Sequence, residues 1–488
     1  MKSVAVIGAG ITGLAAAYRI LERSQELNKA VSVSVLEAGP RAGGIIQSDE
    51  RDGFLLERGP DSFISEKPQA LNLANRLGLT DHLIETNPAY RRSFIVRNGK
   101  LRPVPEGFQL LAPGRMRAFL TSDIFSWSGK LRMAMDLLLP RREVNGTSDE
   151  SLAQFVRRRL GREALERMAQ PMVGGIYTAD PEQLSLQATM PRFLEMERRH
   201  RSLILAMRRN RSSVRSAEVN EDSAGTSGAR YSLFLSFDRG MQLLTDTLAS
   251  RIDKLSNQQI GRNSLTLNSR VCSLELIGHG DAAQWRITND SGDGATVDAV
   301  CLALPAFASA RLIRDVDPQL AAELEAIKYA SSATINLAYK RDDIAHPLDG
   351  FGFVVPIIER RSIMACTFSS VKFASRAPEN HVLLRVFVGG ALQPEMTELP
   401  EAELLARIRI DLRDLLGIDN EPIFHEISRW QESMPQYNLG HVNRVQSIEQ
   451  LVDSLPGLAL AGNAYTGLGI PDCIRSGEDA ADALLASI

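Results

Sequence analysis

The sequence predicts an α/β protein whose central parallel sheet is assembled from segments far apart in the chain. Three observations carry that prediction. A β-branched run over residues 3–7 passes through a glycine-rich turn into a helical pattern. A second strand pattern, Val31–Leu36, ends on an acidic residue, Glu37. Further strand, turn and helix patterns recur over residues 231–255 and at the C-terminus. At 488 residues the chain has room for two or three domains. Its 44% apolar and 24% charged residues are the proportions of a globular protein with a large core.

The first turn holds Gly8, Ala9, Gly10, Ile11, Thr12 and Gly13, a GxGxxG between strand and helix, the context in which it signals a dinucleotide site. The first glycine permits the tight turn, the second lets backbone approach a pyrophosphate, and the third lets the helix pack on the strand. The helix N-terminus then aims its N–H groups at the phosphates. Glu37 follows Gly13 by 24 residues. A carboxylate there accepts a hydrogen bond from a ribose 2′-hydroxyl and repels a 2′-phosphate, so FAD or NAD is favoured over NADP. Arg41, Gly43 and Gly44 come next, resembling the second fingerprint of the large FAD-dependent oxidases and desaturases. Gly59, Pro60, Asp61 and Ser62 extend it, since a Gly-Pro turn there brings backbone beside a flavin.

A Rossmann-like FAD-binding domain is therefore expected from 1–90, 231–305 and 425–488. In it, 231–237 and 297–304 read as strands, 240–255 as turn and helix, and 458–463 as a closing strand and turn. Pro471 suits the first turn of the last helix, whose N-terminal dipole favours an anionic reduced flavin. Residues 91–207 read as a helical insertion, 208–230 as a mobile serine-rich loop, and 306–424 as a sheet-containing substrate domain. Strands are expected there at 333–339, 351–356, 363–368 and 383–388.

Charge is uneven. The net of −3 hides residues 91–211, with 23 Lys/Arg against 12 Asp/Glu. A nucleic-acid binder is not indicated, but that segment suits an anionic lipid surface or a carboxylate-bearing ligand. Within 107–140, aromatic and leucine side chains alternate with arginines and lysines, as in a helix lying at a membrane interface or one packed on a core with arginines outward. No apolar run reaches the ~20 residues of a spanning helix, and Gly8, Gly10 and Gly13 break the apolar helix an export signal needs. The four cysteines are scattered without a CxxC pair, as in a reducing compartment. The expected location is the cytoplasm, with peripheral contact at the inner face of the membrane. No HExxH, GxSxG or GxxxxGK[ST] motif is present. Cys473 reads as a buried inert thiol.

The motifs ERGPDSF (57–63), GGIYTADP (174–181), ACTFSSVKF (365–373), RVFVGGA (385–391), MPQYNLGH (434–441) and AGNAYTGLGIPDCIRSG (461–477) make the whole chain resemble the protoporphyrinogen/coproporphyrinogen oxidases of heme biosynthesis. That resemblance implies FAD contacts at the GxGxxG residues, Glu37, Ala38, Arg41, Gly44 and Ile45, and at the 59–62 turn. It adds Val271, Trp430, Leu468, Gly469 and Ile470. Gly175 and Tyr177 are expected to line the substrate cavity. It implies six-electron oxidation of a porphyrinogen with dioxygen as acceptor and hydrogen peroxide released, a peripheral membrane or soluble location, and neighbouring heme-pathway enzymes as partners. Since each meso carbon is activated by flanking pyrroles, no essential general base and no metal are expected; the protein positions the macrocycle and holds the flavin. Where animal and plant members carry an arginine before the pair equivalent to Phe94 and Ile95, this chain has Ser93, as in bacterial members that favour coproporphyrinogen. Arg92, just before it, is the expected carboxylate anchor. Two rival readings share the fold. A flavin amine oxidase would hold an amine between rings such as Tyr465 and Trp430, and a prenyl-carrying escort protein would lack an intact flavin site.

Overall fold

The computed structural model describes the chain outside residues 106–107, 110–111, 114–115, 143–148, 210–233, 261–263 and 279. Most of the serine-rich loop expected at 208–230, and the start of the strand expected at 231–237, lie outside the described residues.

The first sheet has five parallel strands in the order Leu265–Thr266, Val31–Leu36, Lys2–Ile7, Ala299–Leu302 and Leu458–Leu460. Alternating side chains of the first strand feed two cores. Val4 and Val6 pack with helices Ile11–Glu26 and Ile470–Ser487 on one face. Ala5 and Ile7 pack on the other with helices Ala306–Ile313 and Pro318–Glu325 and with Trp285 of a three-stranded antiparallel sheet. The expected cofactor-binding sheet thus draws strands from 2–36, 265–302 and 458–460.

The second sheet has seven strands, in the order Phe424–Pro435, Tyr329–Lys340, His381–Gly389, Ala365–Phe368, Gly352–Val354, Phe94–Arg97 and Lys100–Pro103. It reaches beyond 306–424 on both sides: the segment expected to be helical supplies two strands, and 424–435 forms the opposite edge. The reason is burial. Phe94 and Val96 complete the apolar face that Ile335, Leu337, Leu384 and Val386 present to helix Glu401–Leu416. The other face is mixed: it carries Thr334, with Asn336 directly opposite Arg385, beside the apolar Ala338, Leu383 and Phe387.

The helical segment has its own core around Phe119, Phe155, Phe193 and Met168. At its centre lies a fully buried ion pair. Arg159 Nε donates to Asp136 Oδ1 at 2.7 Å, while its other nitrogens reach the carbonyl oxygens of Pro140, Asp136 and Arg201. Asp136 Oδ2 accepts from Ser202 Oγ and Ile204 N. Every polar atom of the pair is satisfied, the condition under which burial of charge is tolerated. Arg159→Ala would leave Asp136 charged and uncompensated. It is expected to lower the free energy of unfolding of this segment by about 3–5 kcal/mol, read as a shift of the urea midpoint; a loss under ~1 kcal/mol would contradict the role assigned to the pair.

Candidate active site

The two sheets meet at the turn after strand Phe54–Glu57. A Cβ on Gly13 would collide with Gly8 O, so helix Ile11–Glu26 closes directly onto the first turn. Gly10, its N-cap, has no side-chain cap and nothing within 4 Å of where a Cβ would stand. The first-turn N–H groups therefore face open space, as a phosphate cradle requires. Glu37 braces the turn: its Oε2 accepts from Ala9 N and its Oε1 from Gly39 N, both at 2.7 Å. Each oxygen keeps a lone pair for a hydroxyl. Ser269 N donates to Glu37 O, which brings Val271 to the same end of the sheet.

Arg41 builds the next turn from inside. Its guanidinium donates to the carbonyl oxygens of Ala42, Ile46 and Gly44 and to Gln47 Oε1. That turn is fastened to the first by Gly43 N, which donates to Ala9 O. Ala38 and Ile45 are solvent-exposed beside it. A Cβ on Gly59 would strike Ile45 O, so Gly59, Pro60, Asp61 and Ser62 lie directly against the 43–46 turn. Asp61 pairs with Lys372 Nζ at 2.9 Å. Burial works against ionisation of Asp61, yet Lys372 and Arg385 hold its carboxyl well below the usual carboxylate range.

From the second sheet, Thr334 Oγ1 and Trp430 Nε1 both donate to Arg58 O, at 2.7 and 3.1 Å. Asn336 Nδ2 donates to Glu57 O, and Arg385 Nη2 to Gly59 O. On the remaining side stands the N-terminus of helix Ile470–Ser487, also without a side-chain cap. Tyr437 Oη fixes its approach, accepting from Gly467 N and donating to Asn463 O. Leu468, Tyr177 and Val354 all pack against the core of the helical segment. The Gly175 Cβ position is 3.7 Å from Val354 Cγ1, so helix Gln170–Tyr177 lies across the mixed face of the second sheet. A small cavity of about 20 Å³ lies beside it, between Gly174, Met364 and Val355. Burial pushes the Cys473 thiol up to about 12, which keeps it protonated at neutral pH.

The predicted flavin contacts thus converge, and so do Gly175 and Tyr177. Arg92 does not join them. It pairs with Asp349, half exposed, and its guanidinium lies over Phe94 on the face that packs against Glu401–Leu416. Ile95 points the other way, into the core shared with Tyr177 and Leu468. Sequence reasoning missed Thr334, Asn336, Lys372 and Arg385 as site residues; the signal was an arginine in the otherwise apolar run 381–389. Arg92→Ala is expected to change the KM for a carboxylate-bearing substrate by less than about twofold, since an exposed pair contributes little.

A model of the family described as flavin containing amine oxidoreductase matches residues 11–485. The chain is 35% identical to a coproporphyrinogen III oxidase of Bacillus subtilis (strain 168), covering 99% of this chain and 98% of that one. It is 29% identical to the mitochondrial protoporphyrinogen oxidase of Nicotiana tabacum, covering 99% and 95%. A crystal structure from Exiguobacterium sp. 255-15 superposes with a TM-score of 0.84 at 29% identity, covering 100% and 99%. FAD is the cofactor this family implies, and the open Gly10 cradle, the free lone pairs of Glu37 and the uncapped helix at Gly469 fit it. The chain belongs to the flavin containing amine oxidoreductases and, within them, to the group of coproporphyrinogen and protoporphyrinogen oxidases.

Proposed function

We propose that this protein oxidises a porphyrinogen to the porphyrin in heme biosynthesis, using FAD, with dioxygen as acceptor and coproporphyrinogen III as preferred substrate. The observation that carries this reading is the 35% identity over nearly the whole of both chains to a coproporphyrinogen III oxidase. Ser93, beside the inward-facing Ile95, supports the same preference. Bound FAD supplies a two-electron acceptor that dioxygen regenerates with release of hydrogen peroxide.

The chain's own residues hold and orient. Gly8, Gly10, Gly13 and the uncapped first turn of helix Ile11–Glu26 bind the pyrophosphate, and Glu37 binds the ribose. Arg41 shapes the turn that carries Gly44 and Ile45, and the 59–62 turn, Trp430 and Leu468–Ile470 enclose the ring. Gly175 and Tyr177 are assigned to the substrate side of the cleft, where the Gly175 Cβ position stands at van der Waals distance from Val354. No side chain is assigned as a general base: the pyrrole N–H protons pass to solvent while the macrocycle is held in place.

The purified yellow protein is expected to form coproporphyrin from coproporphyrinogen III at least tenfold more efficiently than protoporphyrin from protoporphyrinogen IX, a difference of about 1.4 kcal/mol. Three peroxides should appear per porphyrin, as the loss of six hydrogens demands. Benzylamine and polyamines should give none. Turnover of an amine, or no porphyrin from either substrate by the flavin-loaded protein, would overturn the assignment.

We further propose peripheral membrane contact. No helix among the described residues is long and apolar enough to cross a membrane. Trp127, Leu131, Met135 and Leu138 nevertheless stand 74%, 70%, 44% and 78% exposed, on one side of consecutive turns. Such a stripe suits shallow insertion at an interface. The double variant Trp127→Ser, Leu131→Ser is expected to co-sediment with anionic lipid vesicles roughly tenfold less while keeping its turnover in detergent; equal sedimentation would remove the stripe from the contact.

A further inference from the structure

Five ionisable groups cluster at the 59–62 turn: Glu57, Lys372, Arg376 and Arg385 are buried behind it, and Asp61, in the turn, is partly buried. Two are acids and three are bases; the half-exposed Asp238 carboxylate also acts on Arg376 from the rim, so the one surplus positive charge belongs to the interior of the cluster. The acids are already committed. Glu57 accepts from Ser48 Oγ and Met241 N and lies 3.8 Å from Arg376. Asp61 takes Lys372 and Ser62. Arg376 is itself held by Ser236 Oγ and Phe237 O.

Arg385 hydrogen-bonds to carbonyl oxygens: Nη2 donates to Gly59 O and reaches Arg58 O, the guanidinium lies over the Phe387 ring, and Nε is buried without a hydrogen-bond partner. It is 3% exposed, so a substrate carboxylate entering from solvent does not reach it. Its position is defined through backbone. Gly59 lies against Ile45 O, and the Gly44 Cβ position is 3.2 Å from Gly10 Cα. The guanidinium thus touches the 59–62 turn assigned to FAD from behind, through Gly59 O. A buried charge left unbalanced in the resting protein favours any state that brings an opposite charge near it. Flavin reduced by two electrons and one proton carries one more negative charge than the oxidised form.

We propose that Arg385 is a positioning residue that holds surplus positive charge behind the Gly59 turn and thereby favours the reduced flavin. This rests on the placement of FAD under Proposed function. The guanidinium touches neither substrate nor reacting atoms; it acts through the Gly59 carbonyl and through its field.

The test is a spectroscopic reduction titration against a reference dye, on the purified flavin-loaded protein, with Arg385→Met, Arg385→Lys and Asp61→Asn. Arg385→Met is expected to lower the reduced-to-oxidised ratio at fixed potential about tenfold, or about 30 mV for a two-electron couple. Arg385→Lys, which keeps the charge, should restore the wild-type ratio. Asp61→Asn removes a negative charge and should shift the ratio the opposite way. A residue that only braces the fold would lower FAD content while the flavin still bound kept its potential, and that result overturns the inference. Should Arg385→Met not fold, Asp61→Asn decides: a raised potential supports the surplus-charge account, and an unchanged or lowered one refutes it. A wild-type protein purified colourless, and remaining so with added FAD, would instead refute the cofactor placement itself.

Discussion

The molecule depends on three consecutive carbonyl groups. The carbonyls of Glu57, Arg58 and Gly59, where the chain leaves its pairing with strand Ser48–Arg51, point at the second sheet, where Asn336, Thr334, Trp430 and Arg385 donate to them. Unpaired buried carbonyls are costly, so the turn has one low-energy position, set by three strands that lie some 270–370 residues further along. This is how a chain made of two sheets acquires a single cleft. The cofactor turns belong to the first sheet and the wall facing them to the second. The carbonyls of residues 57–59 fix the distance between the two.

The same reasoning explains what a single sequence reveals and what it hides. The first strand, its glycines and Glu37 were legible because their meaning is local: a turn too tight for a Cβ, and an acid at a fixed spacing. Tyr177 and Gly175 were legible only through resemblance. Arg92 shows the limit. Adjacent residues of an extended chain point to opposite sides, so Arg92 shares a side with Phe94, and Ser93 with Ile95. Which side faces the cleft depends on helix Glu401–Leu416, whose packing no local pattern announces. Thr334 and Asn336 alternate with apolar residues in their strand, and Arg385 stands alone in an apolar one. Their acceptors, however, lie in a turn almost 280 residues earlier or more, and that pairing exists only in the fold.

A site built this way is suited to chemistry that the cofactor carries. Around the cleft the chain supplies N–H groups, hydroxyls, an indole and buried fixed charges; it offers few side chains whose titration sits near neutrality. His441 illustrates this. Burial pushes its pKa down, it stacks on Tyr437 at 4.0 Å, and it bonds the carbonyl of Tyr465. As a neutral ring it props the Tyr437 hydroxyl that holds Gly467. Because its folded pKa is depressed, the stability it lends is present above the ordinary imidazole value of about 6.5 and is lost as pH falls through the folded value. The imidazole is therefore a structural support whose failure at acid pH loosens the C-terminal helix start.

The basic segment calls for a similar distinction between formal charge and available charge. Its surplus of cations reads in the sequence as a surface made for anions. In the fold many of those cations are already engaged. Arg158 pairs with Glu150 and Glu197, Arg159 with Asp136, and Arg157 with Glu182. Lys130 caps the carbonyl of Leu120, and Arg132 gathers the carbonyls of Arg157, Arg158 and Arg159 at the end of their helix. Cations at helix C-termini are answered by backbone dipole as surely as by carboxylate. What the segment leaves largely exposed is the apolar stripe of Trp127, Leu131, Met135 and Leu138. The proposed contact with a lipid surface would therefore be driven first by burial of that stripe, with charge setting orientation, and would weaken only modestly as salt screens the exposed cations.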